Sequence, residues 1–495
     1  MIQPAAAQTN SEPHSEPNLE HGMDPHQDTH TSTGHEDGHH GNKEHWQNLD
    51  TGMVLLNILP FVGLLLMIAI LPLIPKIDHW WHQNKNKLMV SLTCAVIGVA
   101  LYLWPTGDWH KVLHVYVEYA AFIMLLASLF IISGGIHISG PFAGFPHVNT
   151  AFLAIGAVLA NFMGTTGASM LLIRPLIHAN KDREHKTHII IFFIFIVANC
   201  GGLLTPLGDP PLYLGFLRGV PFGWTLSLIP EWVYMIGLML LIFHFLDSYM
   251  FTKEELATKE SLTHIVQSKA EGKRLKIDGA SNLFFLGLIV GVILTSGYLV
   301  HPYLTANYGL ENADLGAQGF QIVAMGLITA VSFFLTSAHI RKENSFSFEP
   351  IAEVACIFVG IFGAMIPALT ILEAKGGSLP INEAWQYFWI TGILSGFLDN
   401  APTYLTYVTL AASKTGWPTA PLTEFAANEP ALLAAISTGA VFMGALTYIG
   451  NGPNFMVKTI AEHSNIKMPS FGGYMLWSFT FMMIPLILAT FLFFL

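Results

Sequence analysis

The chain has 495 residues, of which 52% are apolar and only 11% charged, against roughly 25% charged in a typical soluble domain. So little charge cannot cover a water-exposed surface of this size, which excludes a soluble globular protein and leaves lipid as the main covering. The net charge of −11 is weighted toward the first fifty residues, where Lys43 is the one basic residue; it implies no acidic or basic partner, and nothing suggests nucleic acid.

Residues 1–52 are polar, poor in aliphatic clusters, and carry eight histidines from His14 to His45. Such a segment buries too little apolar surface to fold and is expected to be a disordered, acidic, His-rich tail. Its histidines could bind Zn²⁺ or Ni²⁺ or sense external pH, although composition favours a solvated linker without a fixed site. No basic n-region followed by an apolar h-region opens the chain, so the first span, Met53–Pro75, is expected to direct insertion itself.

Apolar segments of bilayer-crossing length then follow at 54–75, 88–104, 113–138, 150–178, 187–219, 226–247, 281–300, 319–337, 351–373, 384–412, 431–463 and 471–494. Cys94, Cys200 and Cys356 fall inside these runs, and three scattered thiols in hydrocarbon read as packing residues. The segments 150–178 and 384–412 have the centres GTTGAS (164–169) and DNAPT (399–403). Each is too long for one span and too short for two, which predicts a re-entrant hairpin. Segments 187–219 and 431–463 are interrupted by TPLGDPP (205–211) and TYIGNGPN (447–454), where proline must break the helix.

The polar stretch 248–280 divides the apolar part into 53–247 and 281–495. Each half reads as three spans, a hairpin, a broken helix and a final span. Five crossings per half is odd, so the halves must be inverted, giving an all-α polytopic protein of ten spans and two hairpins. Basic residues gather at 76–87, 181–186, 248–280 and 341–342, on one side in this count. The opposite loops, 301–318 and 415–430, have no Lys or Arg and contain Glu311, Asp314, Glu424 and Glu429. The positive-inside rule makes the first side cytoplasmic, the linker 248–280 with it, and both termini external.

The repeat is visible residue by residue. An offset of about 242 takes Gly202, Leu204, Thr205, Gly208, Asp209 and Pro211 onto Gly444, Leu446, Thr447, Gly450, Asn451 and Pro453. A second offset takes Thr165, Thr166, Gly167, Ala168 and Ser169 onto Asp399, Asn400, Ala401, Pro402 and Thr403. Similarity confined to interrupted segments is the pattern of inverted-repeat transporters.

Breaking a helix at membrane depth leaves backbone N–H and C=O groups without intrahelical partners, and this is tolerated only inside protein or beside a water-filled cavity. Such carbonyls coordinate cations, and half-helix N-termini attract anions. Two candidate ion sites follow: Thr165, Thr166 and Ser169 with Thr205 and Asp209, and Asp399, Asn400 and Thr403 with Thr447, Asn451 and Asn454. An aspartate at such depth costs roughly 2.5–3.5 kcal/mol on insertion scales. Loss of water favours the protonated carboxyl, which fits a proton carrier that competes with a cation. The plainer reading is that Asp209 and Asp399 cap half-helices; two matched breaks under a fixed offset favour the functional one. Glu118, Glu231 and Glu353 read equally as hydrogen-bonding or proton-relay groups, His137, His244 and His339 as packing residues, and Arg174 as snorkelling to the cytoplasmic surface.

The stretches NFMGTTGASMLLIRPLI (161–177), NCGGLLTPLGDPPLYLGFLRGVPF (199–222), FLDNAPTYLTY (397–407) and GALTYIGNGPNFMVK (444–458) resemble the ion transporter superfamily. Within it the sequence is similar to NhaD-type sodium/proton antiporters and to related proteins labelled citrate transporters, over residues 53–495. The resemblance implies a homodimer in a bacterial inner membrane, with a scaffold domain and a mobile transport domain that carries the ion sites. Dicarboxylate carriers of the superfamily have Ser-Asn-Thr at both hairpin tips; this sequence has Thr165-Thr166-Gly167 and Asp399-Asn400-Ala401 instead. A carboxylate at the tip repels a citrate-like anion. The expectation is therefore a secondary transporter exchanging Na⁺ or Li⁺ for H⁺, with Na⁺ the transported ion at Asp209 and Asp399 and no further cofactor. The alternative is a citrate or dicarboxylate carrier coupled to Na⁺ or a metal ion. A channel would need a continuous pore rather than paired breaks, and no HExxH or GxSxG motif speaks for an enzyme.

Overall fold

The computed structural model describes residues 45–81, 83–140, 142–255, 276–344 and 346–495. The expectations for residues 1–44 and for the linker residues 256–275 lie outside these. The described chain from His45 already packs: Trp46 is buried and stacks on Tyr102, and the Leu49 carbonyl accepts from Lys375.

The first half runs through α1 (Thr51–Ile70), α2 (Asn84–Thr106), α3 (Trp109–Ser133), α4 (Pro146–Ala179), α5 (Thr187–Ile196), α6 (Pro210–Leu217) and α7 (Ile229–Glu255). The second half repeats the order with α8 (Ser281–Thr295), α9 (Leu310–Leu335), α10 (Glu349–Lys375), α11 (Ala384–Phe397), α12 (Asn400–Thr415), α13 (Pro430–Met443), α14 (Gly452–His463) and α15 (Phe471–Ala489). A two-stranded ribbon, His137–Ser139 against Lys276–Asp278, is the only sheet among the described residues. Helix starts follow local chemistry: Asp50 accepts from Met53 N at α1, and Asp108 accepts from His110 N and Lys111 N at α3.

Among the described residues ten helical segments are long and apolar enough to cross a membrane. They include α4 and leave out α13 and α14, which are each too short to cross alone.

α4 is a hairpin, not a span. Gly164 sits at φ 75°, ψ 156° in its middle, a conformation open to glycine because it has no Cβ. Beyond it the chain returns. Asn149 Nδ2 donates to Asn180 Oδ1 at 3.0 Å and Asn180 Nδ2 to Asn149 Oδ1 at 2.7 Å, whereas a straight helix would hold those residues about 46 Å apart. In the second half α11 and α12 break at Leu398, and Lys414 near the end of α12 donates to the Leu379 carbonyl before α11.

The two halves pack as inverted copies. α2 lies against α10 and, reciprocally, α9 against α3; α1 packs on α10 as α8 packs on α3. α4 meets α14 as α12 meets α6, and α7 meets α15. This divides the molecule into one layer of α1–α3 and α8–α10 and another of α4–α7 and α11–α15. The first layer is seamed by small residues. A Cβ on Gly98 would lie 2.7 Å from Ala364 Cα, and one on Gly363 would lie 2.8 Å from Ala95 Cβ, the close backbone approach that small residues permit in membranes.

Loop contacts agree with the crossing count. Residues 134–137 bond Asn344, and Arg183 bonds Gly144, Asp247 and Glu254. All lie on the side given the basic loops. At the other end Arg218, Leu422, Gly219 and Thr423 meet, and Lys111 meets Glu373.

Candidate functional site at the paired helix breaks

The two broken helices have nearly the same backbone. Five residues, Cys200–Leu204, form a tight turn that ends at Thr205 (φ −141°, ψ 156°), and Gly444–Leu446 ends at Thr447 (φ −135°, ψ 169°). Asp209 (φ −144°, ψ 145°) then opens α6, and Asn451 (φ −153°, ψ 141°) opens α14. Gly208 is required here, because a Cβ would collide with the Gly202 carbonyl. Each threonine ties its break to the neighbouring hairpin. Thr205 Oγ1 donates to the Asn161 carbonyl and Thr447 Oγ1 to the Gly396 carbonyl, both at 2.5 Å. The tip of the first hairpin also docks through its backbone, Thr165 N donating to Gly208 O at 2.9 Å.

The two candidate sets meet on one carboxylate. Asp209, 1% exposed, accepts from Thr165 Oγ1 at 3.0 Å, from Asn451 Nδ2 at 3.0 Å and from Asn400 Nδ2 at 2.6 Å. Its donors thus come from the first hairpin, the second break and the second hairpin. All three are neutral. Although Asp209 stands at the N-cap of α6, its side chain makes no capping bond.

Asp399 behaves differently. It is half-buried, and its side chain caps α12 by accepting from Ala401 N at 3.1 Å. The plain capping role applies to this residue, which is also close enough to act electrostatically on Asp209. Thr403 Oγ1 donates to the Asp399 carbonyl. Asn454 donates to the carbonyls of Gly444 and Thr447, the groups the break leaves without helical partners. Thr166 is half-buried. Asn400 Oδ1, on a residue that donates to Asp209, and Ser169 Oγ, one turn beyond Thr165, are buried without a hydrogen-bond partner, so their oxygen lone pairs remain unused.

Two further asparagines belong here that sequence reasoning passed over. Asn199 donates to Asn454 Oδ1 at 2.6 Å and accepts from Asn451 Nδ2 at 3.2 Å, joining the two breaks directly. Asn161 accepts from Leu204 N at 2.8 Å. Each opens one of the motif stretches, and a polar side chain inside an apolar span was the available signal. The weaker candidates lie elsewhere: Glu353 pairs with Lys87, His137 with Asn344, His244 with Thr150 and His339 with Glu343. Glu231 Oε2 and Arg174 Nη1 are buried without partners. Glu118 forms a fork with Arg218, Nε to Oε1 at 3.0 Å and Nη2 to Oε2 at 3.3 Å.

Inverted halves, re-entrant hairpins and broken helices meeting at a buried polar centre define a multi-pass membrane transporter of the secondary type. Residues 50–494 match the family described as "Putative citrate transport", and the chain belongs to that family. No curated protein matches it.

Proposed function

We propose that the protein exchanges Na⁺ or Li⁺ for H⁺ across the membrane, with Asp209 as the group that alternates between proton and cation. The observation that carries this reading is a buried carboxylate whose three donors are all neutral. Asp399 supplies a second acidic group within electrostatic reach of it. Thr165, Asn400 and Asn451 satisfy Asp209 by donation. A small cation would be met by the carboxylate, the free lone pairs of Asn400 Oδ1 and Ser169 Oγ, and hydroxyl oxygens that can turn from donor to acceptor, the hard-oxygen set such ions prefer. The step balances as carboxylic acid plus Na⁺ giving sodium carboxylate plus H⁺, the proton leaving to the water on the open side. Binding from either side in turn gives one-for-one competition without a separate gate for each ion.

The basic loops support a cytoplasmic face at 76–87, 181–186 and 341–342, with the described N-terminal residues and the C-terminus external. A bacterial inner membrane and a homodimer complete the reading, both drawn from the family resemblance.

The family description favours a second reading, a citrate carrier coupled to a cation. Against it stand two acidic side chains and a set of neutral donors where a tricarboxylate would call for cationic ones. Purified protein in proteoliposomes with an internal pH dye decides between them. Added Na⁺ or Li⁺, but not K⁺ or citrate, should collapse an imposed pH gradient, and Asp209→Asn should remove most of the response. Labelled citrate uptake with no pH response to Na⁺ would replace this reading by the second.

A further inference from the structure

α6 is eight residues long and links the site to the other layer of the molecule. Asp209 is its N-cap, and Arg218 follows its last residue. Between them Tyr213, 1% exposed, donates from its hydroxyl to Gln321 Oε1 on α9 at 2.8 Å. Gln321 in turn donates to Ser296 Oγ at 2.9 Å. The Arg218 guanidinium grips Glu118 on α3 with both carboxylate oxygens engaged, the side chains 11% and 9% exposed. Its carbonyl accepts from Leu422 N at 2.6 Å. Glu373 of α10 and Tyr404 of α12 are within electrostatic reach of the same guanidinium. Lys111 and Thr419 hold Glu373.

The partners of this pair belong to different layers. By contrast, Arg183 is also paired and buried, but with Asp247 and Glu254 of α7, and His188 of α5 shares Asp247. That cluster holds α4, α5 and α7 together inside a single layer. A transporter that opens its site to each side in turn must change the contacts between its layers, whereas contacts within a layer can persist. A planar two-point fork cannot stretch with such a change: it is made or it is broken.

We propose that Arg218–Glu118 is an ionic latch, made in the conformation described here and broken in the alternate one, which holds α6 and hence Asp209 against α3. Its release is then a step in every transport cycle, whatever the solute carried.

Hydrogen exchange read by mass spectrometry on the full chain in lipid tests this without assuming a substrate. Glu118→Gln, the neutral pair Glu118→Gln/Arg218→Gln and the swap Glu118→Arg/Arg218→Glu are compared with wild type. The neutral pair avoids stranding one buried charge and guards against simple misfolding. The latch requires amides of α6 and residues 218–228 to exchange about tenfold faster in the first two variants, with α2 and α10 unchanged. It also requires the swap to bring the rate back toward wild type. Equal acceleration in both layers would mean a purely structural pair, and no acceleration at α6 would mean that the fork restrains nothing; either result overturns the latch. A failure of Na⁺/H⁺ exchange in the proteoliposome assay would leave this readout unaffected.

Discussion

The two helix breaks have the same backbone and opposite chemistry. At the first, Asp209 presents a carboxylate; at the second, Asn451 occupies the same turn with almost the same dihedral angles and presents an amide. The hairpin tips reverse the assignment, with Thr165 at the first and Asp399 at the second. The symmetric backbone supplies two openings in the helix ladder. The asymmetric side chains put one carboxylate in each half, Asp209 among neutral hydroxyl and amide donors and Asp399 at the cap of α12. Two buried carboxylates at mirrored positions of the breaks would repel at close range; at the second break an asparagine donates to Asp209 instead.

Erasing the difference should have the largest effect. Asp209→Asn makes the first break chemically like the second and should slow Na⁺-driven proton release in proteoliposomes by about 100-fold or more, about 2.7 kcal/mol in barrier. Wild-type exchange in folded protein would show that the chemistry lies elsewhere.

Next comes the shared backbone. Gly208→Ala forces a Cβ onto the Gly202 carbonyl, and Gly450→Ala places one 2.5 Å from the Gly444 carbonyl. Both should lower the yield of monodisperse protein after detergent extraction, and Gly208→Ala should do so more severely. Equal tolerance at both would mean that the turns can relax apart.

A smaller effect is expected at Asn199, which aligns with the apolar Val441. Asn199→Val copies the second half into the first and leaves Asn454 and Asn451 each short of a partner. Melting in detergent should show a loss of about 1–3 kcal/mol. The least disruptive change is Thr165→Val, which removes one donor to Asp209. It should cost about 0.5–1.5 kcal/mol and weaken Na⁺ competition with protons only severalfold, as read from the Na⁺ concentration giving half-maximal exchange.

Most of the architecture was legible because membrane depth restricts what a chain can do. Length separated the hairpins from the spans, and proline with glycine marked the breaks. Gly164 and Leu398, the two points where the hairpins turn, each immediately precede the stretches that the repeat aligned. The site was legible only in part. Pairing each hairpin tip with the broken helix of its own repeat placed Thr165 with Asp209 and Asn400 with Asn451, each within its own half. The bonds that Asn400 and Asn451 make to Asp209 cross between halves, and internal alignment carries no information on how inverted copies interlock. Arg218 lay inside a motif, yet its partner Glu118 is a hundred residues earlier, a separation that no local pattern encodes.

The reciprocal amide pair at the foot of the first hairpin has a mechanical consequence. Asn149 and Asn180 clamp the two arms together, Asn149 donates to Asp247, and Arg183 bolts the adjoining loop to α7. A rod gripped at its root behaves as a cantilever. Its tip, bonded through Thr165 to Gly208 and Asp209, cannot swing alone and is carried wherever α5 and α7 carry the root. A disturbance at the membrane surface beside Arg183 is therefore delivered at depth as a displacement of the acidic centre, with the hairpin as the lever arm.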